Sequence, residues 1–202
     1  MFVKICGLRT EADVACAVEA GADAVGFVLC ESPRQVSPEQ AERLAALAPP
    51  SVLSVGVFQG VPVEEIRRLV TGSALGAVQL HGDYRAADFA ALRDLPVRLV
   101  RATSLAAGAP PRVGEYGEEL LLLDSPRAGS GHSWDWSALA GSAPAGRWVL
   151  AGGLDPENVA AAIAAAAPWG VDVSSGVEAS RGVKDPARIR AFVAAARGTF
   201  PA

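Results

Sequence analysis

The chain has 202 residues, 50% of them hydrophobic, enough to bury the core of one large domain or two small ones, which excludes a disordered polypeptide. Eighteen Lys and Arg against 22 Asp and Glu leave a formal charge of -4 with no basic cluster, so neither nucleic acid nor a membrane surface is expected as a partner. The longest uncharged run, Leu44 to Val63, is broken by Pro49, Pro50, Gly56, Gly60 and Pro62 and cannot form a membrane-spanning helix.

Lys4 sits where a secretory signal would need its apolar core, so export is not expected. Cys6, Cys16 and Cys30 form no C-x-x-C pair, and an odd thiol count fits a reducing cytoplasm. His81 and His132 lie far apart with no ligand spacing around them, so no metal site is expected.

Short β-rich runs alternate with helical periodicity along the chain. Strands are expected over Phe2 to Ile5, Ala24 to Leu29, Val52 to Phe58, Ala77 to Leu80, Val97 to Arg101, Leu120 to Leu123, Trp148 to Ala151 and Val171 to Ser174. Between them, Thr10 opens one helix, and Ser37-Pro38-Glu39-Gln40 reads as a capping box with proline at the first helical position. Asp155-Pro156 and Asp185-Pro186 repeat the device of a cap followed by proline, and Val63, Ile66 and Val70 share one helical face. Ile189, Phe192, Val193 and Ala196 give the last helix one apolar stripe.

Eight such units average about 25 residues, close to the lower limit for a (β/α)8 barrel, so residues 1–202 are expected to form a single compact TIM barrel domain. A doubly wound open sheet competes, but it usually carries G-x-G-x-x-G after its first strand, and Cys6-Gly7-Leu8-Arg9-Thr10 is not that turn. A barrel of this size suits either a monomer or a homodimer.

In a parallel barrel the chemistry sits at the carboxyl ends of the strands. Gly152 and Gly153 after strand 7, with Ser174, Ser175 and Gly176 after strand 8, offer amides and hydroxyls to a phosphate group, although each glycine can also serve only as a turn. Asp124 leaves the apolar run Leu120 to Leu123 at the rim of the core, where partial burial raises a carboxyl pKa and suits a general acid; capping a nearby amide is the plainer role. Cys6 meets the barrel mouth just before the helix opening at Thr10, whose dipole favours a thiolate able to act as base or nucleophile, against the plainer fate of a small buried hydrophobe. Arg34, behind the rigid Ser32-Pro33, can clamp a carboxylate or remain a solvated charge, and His81 can bond a ligand hydroxyl or order its own loop. The stretch Gly129 to Trp136, with His132 and Trp134, reads as either an aromatic-rimmed lid or a docked surface loop.

The motifs Lys4-Ile-Cys-Gly-Leu8, Ser32-Pro-Arg34, Val55-Gly-Val-Phe58, Gln79-Leu-His-Gly82, Ala151-Gly-Gly-Leu154 and Val171-Asp-Val-Ser-Ser-Gly-Val-Glu178, with Lys184-Asp185, together resemble the phosphoribosylanthranilate isomerases of tryptophan biosynthesis. The resemblance implies a cofactor-independent Amadori rearrangement of a phosphorylated small-molecule substrate, N-(5′-phosphoribosyl)anthranilate. It implies Asp124 as general acid and Cys6 as general base. Arg34 would receive the anthranilate carboxylate, His81 and Asp172 would be further active-site residues, and Gly152, Gly153, Ser174, Ser175 and Gly176 would hold the phosphate. The pattern departs from the family's usual one at Ala128 to Gly131, at Trp134 and at Arg181. A dual-substrate relative that also serves histidine biosynthesis would carry an aspartate in place of Cys6. A non-catalytic phosphosugar-binding barrel acting as sensor or scaffold is the alternative from another class, and retention of Cys6 with Asp124 speaks against it.

Overall fold

The computed structural model describes residues 1–104, 111–125, 136–139 and 143–198. Eight parallel strands close into a barrel in chain order: β1 (Phe2–Cys6), β2 (Ala24–Val28), β3 (Leu53–Phe58), β4 (Ala77–His81), β5 (Arg98–Ser104), β6 (Leu120–Asp124), β7 (Trp148–Leu150) and β8 (Gly170–Val173). The expected strands are all present, with ends displaced by no more than three residues. Ring closure is made by β1 on β8, where Phe2, Val3, Lys4 and Ile5 register with Gly170, Val171, Asp172 and Val173.

Both faces of the sheet are buried, which is why the strands read as nearly continuous apolar runs. Val3, Ile5, Val25 and Phe27 face outward into the layer beneath the helices. Ala24, Val55, Ala77, Val100, Leu122 and Val149 fill the barrel interior together with Cys6. Alternation along each strand also carries Lys4, Gln79 and Asp172 into that interior, and all three are buried.

The helices are α1 (Glu11–Glu19), α2 (Pro38–Ala45), α3 (Val63–Val70), α4 (Ala86–Ala90), α5 (Val159–Ala166) and α6 (Pro186–Gly198). Thr10 caps α1 in a complete capping box with Asp13. At α2 only half of the expected box forms: Ser37 accepts from the Gln40 amide at 3.2 Å, but the Gln40 side chain donates to the Arg9 carbonyl at 2.6 Å, because that loop offers a carbonyl within its reach. Asp185 accepts from the Ala187 amide and opens α6 as expected. Asp155 instead caps a turn, accepting from the amides of Glu157 and Asn158, and α5 starts only at Val159. The apolar stripe of α6 is buried throughout at Ile189, Phe192, Val193 and Ala196.

Among the described residues no α-helix joins β5 to β6, and only a short 3-10 turn, Trp136–Leu139, lies between β6 and β7. Pro111, Gly114 and Gly117 explain the first case, since proline and left-handed glycine interrupt helical hydrogen bonding; both glycines have φ of 84°. The proposed lid residues 129–135, and with them the departures at 128–131 and 134, lie outside the described residues.

After β8 the chain makes a small antiparallel hairpin that the sequence reading does not anticipate, β9 (Glu178–Ser180) and β10 (Val183–Lys184). Arg181 occupies its exposed turn. The loops after β7 and β8 touch at Gly176, where an added Cβ would lie 1.9 Å from the Leu154 carbonyl oxygen. Gly176→Ala is expected to destabilise the protein by about 3 kcal/mol, since the obstacle is backbone and cannot rotate away. The urea midpoint measures this, with Gly198→Ala as control because its Cβ would meet nothing within 4 Å.

Candidate active site

A cleft at the carboxyl ends of β6, β7 and β8 is lined by Arg34, Asp124, Gly152, Gly153, Asp172, Ser174 and Ser175, with Ala151, Leu154 and Val173. Seven residues singled out from sequence therefore converge on one place. Neither Cys6 nor His81 lines the cleft, but each adjoins it: Cys6 ends β1 with its carbonyl accepting from Ser174 Oγ at 3.2 Å, and His81 ends β4 with its Nε2 4.0 Å from Asp124 Oδ2. Gly176 lies at the loop seam instead, its carbonyl accepting from Arg188 Nε at 2.9 Å. A wider hollow of about 320 Å³ opens nearby among Gln59, Gly60, Gly82, Asp83 and Tyr84.

Asp124 emerges from four buried leucines, so its carboxyl is drawn partly out of water. Burial pushes it above the ordinary aspartate range, against opposition from the Ser125 amide, 2.7 Å from Oδ1, and from His81. A carboxyl so placed can hold a proton for transfer. Gly152 is wrapped around it: an added Cβ would lie 2.7 Å from Asp124 Oδ1 and 2.5 Å from the Ser125 nitrogen. Gly152 and Gly153 have φ of 83° and 67°, left-handed backbone that glycine adopts without cost and that leaves this wall free of side chains. Asn158 fixes the loop by donating to the Gly153 carbonyl at 2.8 Å. Such a wall, in a cleft shared with Ser174 and Ser175, suits an anionic group, although the Ser174 hydroxyl donates to the Cys6 carbonyl at 3.2 Å.

Cys6 corrects the sequence expectation. Burial pushes its thiol up, and the start of α1 does not reverse this. That helix begins five residues later, and Glu11 and Asp13 place negative charge in its first turn, countering the dipole. The cations that do favour the thiolate are Lys4 and, more weakly, Lys184, while Asp172 disfavours it.

Arg34 already clamps a carboxylate, but one of the protein's own. Its Nε is 2.6 Å from Glu178 Oε1 and its second terminal nitrogen 3.1 Å from Oε2. This fork fixes the guanidinium plane and leaves the remaining nitrogen uncommitted to Glu178. Glu178 also accepts from Lys184 at 3.0 Å and from the Gly182 amide at 3.0 Å. Lys184 in turn donates to the Ser174 carbonyl at 2.8 Å, tying the hairpin to the cleft.

Lys4, Glu178 and Lys184 stand in the quoted motifs without a role of their own. A signal existed for Lys4, since a lysine inside a strand buried on both faces requires a partner; that partner is Asp172, 2.8 Å away. Glu178 gave none, because its function depends on an unanticipated hairpin. Cys16 is buried beside the Pro186 carbonyl, and Cys30 is partly buried outside the cleft. No group of three or more His, Cys, Asp or Glu among the described residues is arranged to hold a metal ion.

Burial alone would raise the Glu178 carboxyl, yet Arg34, the Gly182 amide and Lys184 hold it down to about 2. A depressed carboxyl stabilises the fold above its unfolded value near 4.5, and this stability is lost as pH falls toward 2. Glu178→Gln is therefore expected to cost about 3 kcal/mol at neutral pH, the gap to the wild type closing as pH falls through that window. Denaturant midpoints across the window measure it.

A family model described as N-(5'phosphoribosyl)anthranilate (PRA) isomerase matches residues 3–195. The N-(5'-phosphoribosyl)anthranilate isomerase of Citrifermentans bemidjiense is 45% identical over 201 residues, spanning 96% of this chain and 96% of that protein. The crystal structure of TrpF from Jonesia denitrificans is similar at a TM-score of 0.90 and 49% identity, covering 98% of each chain. A crystal structure of phosphoribosyl anthranilate isomerase in complex with reduced 1-(o-carboxyphenylamino)-1-deoxyribulose 5-phosphate follows at a TM-score of 0.83 and 36% identity, covering 98% of this chain and 99% of that one. With the match running through every strand end that builds the cleft, the chain belongs to the N-(5′-phosphoribosyl)anthranilate isomerase family.

Proposed function

We propose that this chain, as one barrel domain, converts N-(5′-phosphoribosyl)anthranilate into 1-(2-carboxyphenylamino)-1-deoxyribulose 5-phosphate by an Amadori rearrangement, with Asp124 as general acid and Cys6 as general base. The observation that carries the reading is the meeting of Asp124, Arg34, Asp172 and the Gly152-Gly153 and Ser174-Ser175 loops in one cleft. The substrate phosphate sits against those loops, and the free edge of the Arg34 guanidinium meets the anthranilate carboxylate. Asp124 donates its proton to the furanose ring oxygen as the C1′–O bond breaks, leaving a Schiff base. The Cys6 thiolate then takes the C2′ proton, and the resulting enolamine tautomerises to the aminoketone. Hydrogen moves between carbons of one molecule, so the reaction calls for no external redox partner. His81, beside Asp124, and Asp172, between acid and base, complete the set of polar groups. The three free cysteines suit a reducing cytoplasm, and no helix among the described residues is long and apolar enough to cross a membrane.

Burial makes the thiol ionise well above the carboxyl, so the competent pair, carboxylic acid with thiolate, is the minor protonation state between the two midpoints. The pH profile of kcat/KM is then a plateau bounded on the acid side by Asp124 and on the alkaline side by Cys6.

The decay of substrate fluorescence tests the assignment. Cys6→Ser and Asp124→Asn are each expected to lose about 10²- to 10⁴-fold in kcat, whereas Arg34→Ala mainly raises KM. Full turnover in both of the first two variants would sink the role assignment. Tight binding without conversion by the wild type would favour a sensor.

A further inference from the structure

Lys4 takes no part in the steps above, yet it is 4% exposed inside the barrel. Desolvating an ammonium costs several kcal/mol, and apolar side chains of similar volume often match a buried ion pair in stability. The Lys4–Asp172 pair is therefore poorly explained by stability alone. Three placements tie it to the thiol. Lys4 and Cys6 are two residues apart on β1 and share its inner face. Lys4 registers with Asp172 on β8, and Cys6 with Gly26 on β2. At Gly26 an added Cβ would lie 2.9 Å from Cys6 Sγ and 3.2 Å from Lys4 Nζ, so sulfur and ammonium close on one point that only a missing side chain leaves open.

We propose that Lys4 is the positioning residue for Cys6: its ammonium, anchored by Asp172, holds the sulfur at the floor of the cleft and is the fixed countercharge of the thiolate. This rests on the assignment of Cys6 as base. In the cycle, Cys6 Sγ gives its proton to solvent. The thiolate then accepts the C2′ proton as the C2′–H electron pair forms the C1′–C2′ double bond and the imine pair moves to nitrogen. Lys4 keeps its three protons throughout.

The other groups facing the sulfur do not replace Lys4. Asp172 from β8 opposes ionisation, and Lys184 from β10 favours it less than Lys4 does. Lys184 is matched by Glu178 at 3.0 Å, and Arg34, after β2, is clamped by the same carboxylate. Cys30 brings only another thiol.

The test follows the ultraviolet absorbance of the Cys6 thiolate against pH in a Cys16→Ala/Cys30→Ala background, with Cys6→Ser as blank. Lys4→Gln is expected to raise the ionisation midpoint by about one pH unit or more. The kcat/KM plateau should fall by the same factor, about tenfold per unit, while its alkaline limb moves up with the thiol. Lys4→Met/Asp172→Asn, which removes both charges, should give a smaller rise. An unmoved midpoint in a folded variant would overturn the proposal, as would slower turnover without that movement. Failure of both variants to fold would assign the pair to stability and also overturn it. A shifted midpoint in a protein whose wild type does not turn over the substrate would sink the proposed reaction while leaving the link between Lys4 and the sulfur intact.

Discussion

An ion pair joins the first strand of the barrel to the last: Lys4 Nζ and Asp172 Oδ1 stand 2.8 Å apart inside a ring filled mainly by aliphatic side chains, with Cys6 and Gln79 among them. Neither charge tolerates the interior without the other, so each strand carries a penalty that only closure relieves. Asp172 also lines the cleft, and its charge acts on both Cys6 and Asp124. Ring closure, the setting of the base and the setting of the acid thus share one carboxylate. Glu178 repeats the arrangement nearer the surface, serving Arg34, Lys184 and the Gly182 amide together.

The barrel was legible because its strands are buried on both faces and its helices on one. Leu120 to Leu123 permit no solvent-facing alternation, and Ile189, Phe192, Val193 and Ala196 permit no strand. Resolution failed where local chemistry had two acceptable partners. Gln40 found the Arg9 carbonyl instead of its own cap, and Asp155 closed a turn one step ahead of the helix. Between β5 and β6, Pro111, Gly114 and Gly117 deny the backbone its repeating bond, and the segment reads as a surface excursion.

The candidate site was legible in its membership and less so in its electrostatics. Strand-end position alone brought Asp124, Asp172, Ser174 and the Gly152-Gly153 pair together, and desolvation of Asp124 followed directly from the leucines before it. For the thiol the sequence offered both a helix dipole and burial; burial pushes the thiol up, and Glu11 and Asp13 in the first turn of α1 counter the dipole. Arg34 was read as free, since its partner arrives on a hairpin whose three-residue and two-residue strands are too short to carry a periodic signal.

The Lys4–Asp172 contact also orders events in the life of the chain, because its partners are separated by 168 positions. During ribosomal synthesis the amino-terminal stave emerges long before its counterpart, and until that counterpart arrives its ammonium is tolerated only in contact with water. Docking of the final stave is then the moment at which the enclosure becomes tolerable and the cleft acquires its polarity. Maturation of the scaffold and maturation of its reactivity coincide.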